Sequence, residues 1–218
     1  MTETAGKRAR GAPATAAAAS IPVPPPDLGS RKLEIRTLAP RQLFRIARDD
    51  PKIRLLNFRA TKAHRFDAPD GSFGTLYVAD SLAVCFAETL LRGDVKSQAL
   101  DAGTTFIPES EIATRVVVAL DGAPLRLATF KGAALKRLGG DARLSSMVPY
   151  DVPQQWSKAL HDHPLAIDGF IYMSRHVNDR EAVVLFERTR TRLAASVRTR
   201  LLEHPDLGDV LDLFEVGM

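Results

Sequence analysis

The chain has 218 residues, 45% hydrophobic and 26% charged, with 30 basic residues against 26 acidic ones for a formal net charge of +4. That composition can bury a core and excludes wholesale disorder, while so small a basic excess does not by itself argue for nucleic acid. A lone Cys85 excludes a disulfide framework and a cysteine-based zinc cage, and no apolar run reaches the length of a membrane span.

Residues 1 to about 30 lack aromatic residues and are dominated by Ala, Gly, Pro, Ser and Thr. They are expected to form a disordered, untargeted tail in front of one domain spanning 31–218. Within that domain, Pro40 predicts a helix start, with Leu43, Phe44, Ile46 and Ala47 as its apolar side. The cluster Asp67, Pro69, Asp70, Gly71 and Gly74 marks an irregular surface loop from His64 to Gly74. Thr75 to Ala79 reads as a strand, followed by a helix from Leu82 to about Arg92 capped by Asp80 or Ser81.

That helix is apolar on nearly every side, so the carboxylate of Glu88 falls within a largely apolar surface and needs an explanation. Thr114 to Leu120 and Leu125 to Thr129 read as buried strands around an Asp121-Gly122 turn, leading to a helix over 132–138. Asp151 to His161 forms a helix opened by Pro153, and Phe170 to Met173 and Ala182 to Phe186 are core strands joined by a polar loop, Ser174 to Arg180. Thr191 to Glu203 is expected to be helical, and Leu207 to Phe214 a last helix. Strands and helices without a steady βαβ rhythm favour an α+β domain, a mixed β-sheet core with flanking helices.

Common phosphate-loop, dinucleotide-binding, zincin and nucleophile-elbow motifs are absent. His64, His161, His163, His176 and His204 show no metal-ligand spacing and are expected to be structural or superficial. The polar residues at the edges of apolar segments are Arg45, Arg65, Tyr77, Glu88 and Ser174.

Phe73-Gly-Thr-Leu-Tyr-Val-Ala79, then Ala83 and Phe86-Ala-Glu-Thr-Leu-Leu91, resemble the signature of the RES domain family. Asp168-Gly-Phe-Ile-Tyr-Met-Ser174 resembles its third block and Leu43-Phe-Arg45 its first, so the likeness spans roughly 42 to 188. Where many relatives carry a Gly-Gly-Arg-Trp-like loop, this chain has Ala63-His-Arg-Phe-Asp67. The resemblance implies a cytoplasmic toxin of a bacterial toxin–antitoxin pair that consumes NAD as substrate, with no metal. It also implies a fold related to diphtheria-toxin-like ADP-ribosyltransferases, and an antitoxin partner carrying an Xre-like helix-turn-helix.

On that resemblance Arg45, Glu88 and Ser174 are catalytic, and Arg65 and Tyr77 bind the dinucleotide. The chemistry agrees: a carboxylate can stabilise the cation that develops on ribose when the nicotinamide bond breaks, and guanidinium groups suit a pyrophosphate. Tyr77 would stack on nicotinamide or bond the ribose, and Ser174 would orient an amide or a phosphate. The acceptor is left open between water, phosphate and a protein side chain, the last making the chain a mono-ADP-ribosyltransferase. A different class, a basic nucleic-acid module, would use the N-terminal arm and Arg188, Arg190, Arg192, Arg198 and Arg200.

Overall fold

A computed structural model describes residues 21–92, 98–99 and 105–218. In chain order the elements are β1 (Ile35–Leu38), β2 (Phe44–Arg48), β3 (Thr75–Ala79), α1 (Leu82–Thr89), β4 (Gln98–Ala99), β5 (Thr105–Phe106), α2 (Glu109–Ala113), β6 (Arg115–Gly122) and β7 (Leu125–Thr129). They continue with α3 (Gly132–Arg137), α4 (Asp151–His161), β8 (Gly169–Met173), β9 (Glu181–Phe186), β10 (Leu193–Arg200), α5 (Leu207–Leu213) and β11 (Val216–Gly217). Eight strands form one mixed sheet in the order β1-β7-β8-β9-β3-β2-β6-β10, and β11-β5-β4 form a small second sheet. This is the α+β architecture expected from the sequence.

Side chains alternate between two cores, as strand geometry requires when both faces of a sheet are covered. Phe170, Tyr172, Val184 and Phe186 join the larger cluster with Phe66, Phe86 and Trp156. Ile171, Val183, Leu185, Leu76 and Val78 face the other way, against Leu43 and Phe58. Aromatic edges lock the larger core, with the Phe66 and Phe170 rings 5.1 Å apart and perpendicular. At the β6–β7 turn Gly122 has φ +138, and a Cβ there would lie 2.0 Å from the Arg192 carbonyl oxygen, so only glycine fits.

Two segments depart from the helices expected. Pro40 opens only a 3₁₀ turn over Pro40–Gln42, and Phe44–Arg48 is a strand. Its apolar residues suit either period, but Ile46 packs into the larger core while Leu43 packs on the opposite face, a two-residue alternation. A place between β3 and β6 decides the conformation. Residues 193–200 likewise form an edge strand against β6, bulged between Ala195 and Val197. Mostly exposed, this strand lacks the buried apolar alternation that identifies one in a sequence.

Contacts with the domain begin before residue 31. Leu28 is 2% exposed, and the Trp156 indole N–H donates to the Pro22 carbonyl at 2.8 Å. The expected tail therefore has its last ten residues, 21–30, within the described structure, and residues 1–20 lie outside the described residues. Among the described residues no helix is long and apolar enough to cross a membrane.

Candidate functional site

Strand β2 pairs with β6 from Phe44 to Arg48 but meets β3 only where Phe44 faces Ala79. Beyond that point the two central strands separate, and a cleft of about 670 Å³ opens at the split. Residues 45–48 and 75–79 line it, with Cys85, Glu88, Thr89 and Arg92 from the α1 side. Loop residues between 53 and 67, Ser145 and Tyr150, and Tyr172, Arg175 and His176 complete the walls. Eight arginines face this space (45, 48, 54, 59, 65, 92, 115 and 175), against two carboxylates, Asp67 and Glu88. The electrostatic demand is for an anion.

Glu88 arrives on α1, whose start is capped by Ser81 accepting the Val84 N–H. Val84 to Ala87 are buried, so the helix cannot rotate without exposing apolar surface, and Glu88 is held half-exposed at the cleft. Its Oε1 accepts the Ser174 hydroxyl at 2.6 Å. Ser174 is fully buried, and its oxygen also accepts the backbone N–H groups of His176 and Val177, each at 3.2 Å. The serine expected to touch substrate instead orients the carboxylate and turns the chain after β8.

Arg45 lies in the cleft with its Nε and Nη1 buried and without a hydrogen-bond partner. Burial lowers its guanidinium to about 10. Nearby, the Cys85 thiol donates to the Phe44 carbonyl at 3.2 Å and is pushed up to about 12 by burial, which leaves it a protonated wall residue. Arg65 is 9% exposed; its Nη1 donates to the Met147 carbonyl, and its guanidinium lies 4.8 Å above the Tyr150 ring. Burial lowers its pKa as well, and the charge of Arg175 adds to that.

The Tyr77 ring lines the cleft, but its hydroxyl is committed elsewhere. It accepts the Phe66 N–H at 2.9 Å and donates to Asp67 Oδ1 at 3.3 Å. Burial first, and then the Asp67 charge, raise it well above the ordinary tyrosine range, so it stays a neutral phenol. The hydroxyl proton is thus given to Asp67, while the residue lines the cleft.

Thus the structure gathers all five residues expected from the sequence: Arg45, Arg65, Tyr77 and Glu88 line the cleft, and Ser174 stands directly behind Glu88. His64 and His176, expected to be structural or superficial, also line it. Arg175 Nε donates to His176 Nε2 at 2.9 Å, and burial lowers the imidazole's pKa, so His176 is held neutral with its remaining proton on Nδ1. Asp67, Tyr150 and Tyr172 were missed as well. Asp67 and Tyr172 fall within the segments compared with the family, and Tyr150 carried no signal in the sequence.

The basic residues of the nucleic-acid reading have internal partners. Arg188 donates to the His161 carbonyl and Arg190 to that of Phe58, at 2.8 and 2.9 Å. Arg192 pairs with Asp168, Arg198 with Asp49, and Arg200 with Glu203. They lie on a 3₁₀ segment and an edge strand rather than on one helix.

Fold and site together define a mixed α+β domain with a carboxylate set into a cationic cleft. The family model described as the RES domain matches residues 42–207, and the chain belongs to that family. Its fold is similar to a chain in the crystal structure of the M. tuberculosis MbcT–MbcA toxin–antitoxin complex, with a TM-score of 0.57 at 16% identity, covering 88% of this chain and 98% of that one. No curated protein matches the chain.

Proposed function

We propose that the protein is the toxin of a toxin–antitoxin pair and consumes NAD by breaking the bond between nicotinamide and ribose. The observation that carries this reading is Glu88, a carboxylate fixed by a buried serine inside a cleft walled by arginines. Membership in the RES family and the fold shared with a chain of a toxin–antitoxin complex support it. The kinship with diphtheria-toxin-like ADP-ribosyltransferases belongs to the same proposal.

The pyridinium ring leaves with the electron pair of the C1′–N bond and becomes neutral nicotinamide, while positive charge develops on ribose C1′. Glu88 stabilises that charge where it forms, and Ser174 removes the need to reorganise the carboxylate during reaction. Arg45 and Arg65 take the pyrophosphate with the guanidinium groups they bring to the cleft. The Tyr77 ring supplies an apolar face for the planar base. A restraining antitoxin, with an Xre-like helix-turn-helix, would place an acidic or polar segment against the same arginines.

Purified protein incubated with NAD, with and without phosphate, tests the reading by product identification. Nicotinamide with ADP-ribose means water is the acceptor, and ADP-ribose-1″-phosphate means phosphate is. ADP-ribose bound to protein means a side chain is. A folded protein that releases no nicotinamide under any of these conditions contradicts the proposal.

A further inference from the structure

We infer that Asp67 is a positioning residue that sets Arg65 in the cleft by clamping residues 61–67 onto strand β3. Asp67 is 1% exposed, and each of its carboxylate oxygens has two donors. Oδ1 faces the strand, accepting the Thr75 hydroxyl at 2.7 Å and the Tyr77 hydroxyl at 3.3 Å. Oδ2 faces its own loop, accepting the His64 N–H at 3.0 Å and the Thr61 hydroxyl.

Neighbouring bonds fix the same backbone. The Phe66 N–H donates to Tyr77, and the Phe66 carbonyl accepts the Ser157 hydroxyl at 2.7 Å. Gln154 Nε2 donates to the carbonyls of Lys62 and His64 at 2.9 and 3.0 Å. Arg65 therefore sits between two pinned residues, and its side chain leaves the clamp for the cleft. The carboxylate accepts on both sides at once, from two hydroxyls on the strand side and from a hydroxyl and a backbone N–H on the loop side. Tyr77 then acts twice, lining the cleft with its ring and closing the clamp with its hydroxyl.

The inference rests on the NAD reading for its kinetic consequence, because Arg65 is there a substrate-binding group. Asp67→Ala removes the acceptors on both sides of the clamp, leaving the His64 N–H and the Thr61, Thr75 and Tyr77 hydroxyls without this partner. A misplaced Arg65 weakens binding in ground and transition states alike, so KM for NAD is expected to rise about tenfold or more with kcat nearly unchanged. A merely structural loss would lower kcat through a smaller folded fraction and leave KM alone. In an Arg65→Ala background the same substitution is expected to add almost nothing.

Hydrogen exchange on the full chain supplies a readout independent of substrate, with faster exchange at residues 61–67 expected in Asp67→Ala. Should that variant not fold, Thr61→Val removes one bond to Oδ2 and carries the same comparison. Parental KM in the folded variant, or an equal KM rise in the Arg65→Ala background, overturns the clamp. If the parent leaves NAD intact, the proposed reaction falls, and the clamp is judged by exchange alone: parental rates at residues 61–67 overturn it.

Discussion

Ser174 gives its hydroxyl proton to Glu88 at 2.6 Å, while the same oxygen accepts the N–H groups of His176 and Val177. The serine thereby couples the loop after β8 to the carboxylate on α1. Ser174→Ala removes one charge-assisted bond and leaves two N–H groups unpaired. We expect kcat for nicotinamide release to fall roughly 10- to 100-fold, the value of a hydrogen bond to a charged group, with a smaller change in KM. Steady-state kinetics check this, and a loss confined to KM contradicts it.

Arg45 is a half-buried cation whose Nε and Nη1 are buried without a partner, which destabilises the empty protein. Arg45→Met should abolish turnover while leaving the melting temperature equal to or above the parent's; each kcal/mol gained raises it by about 2 to 4 °C at this chain length. Pyrophosphate should raise the parent's melting temperature and raise that of Arg45→Met by less. The sign of the pH effect follows from the lowering of this guanidinium from the ordinary arginine range to about 10. Between those values the unfolded chain holds the proton more tightly, so this contribution to stability rises with pH there, and the penalty is complete below about 10.

His176 predicts an acid limb. Its pKa lies below 6.5, chiefly through burial, so the folded state resists a proton that the unfolded state accepts. Stability from this group is therefore full above 6.5 and falls as pH drops through that value. Protonation also breaks the bond from Arg175 to Nε2 and adds charge beside Glu88. His176→Gln should remove part of the loss of NAD turnover between pH 7 and 5, and an unchanged pH profile rejects the role.

The N-terminal boundary makes a third structural prediction. Deleting residues 1–20 should leave melting temperature and turnover near parental values. Deleting 1–30 removes buried Leu28 and the acceptor of the Trp156 N–H. Leu28 alone is worth about 2–5 kcal/mol by analogy with core truncations, and the shorter protein should melt several degrees lower. Equal melting of the two truncations, measured by calorimetry, counts against this boundary.

Much of this arrangement was legible because local pattern and global placement agree. β3 and β6 to β9 are apolar or β-branched runs bounded by turn formers, and their sequence ranges nearly match the structure. β2 was not, because Phe44, Ile46 and Ala47 fit a helix period until a place between two strands is imposed. β10 was not, because its pairing is main-chain and its side chains are mostly exposed. For the site, the resemblance to the family's blocks singled out Arg45, Arg65, Tyr77, Glu88 and Ser174, but the directions of their bonds were hidden. Nothing in an Asp among turn formers shows four donors converging on Asp67, nor that the Tyr77 hydroxyl faces the loop.

The most direct test of the account is the rate of nicotinamide release by Glu88→Gln. The substitution keeps the volume and an acceptor for Ser174, and removes only the negative charge that ribose requires as its bond to nicotinamide breaks. We predict a fall of about 10²- to 10³-fold, with melting temperature and NAD affinity near the parent's. A folded Glu88→Gln protein that releases nicotinamide at the parental rate would contradict the central role given to this carboxylate.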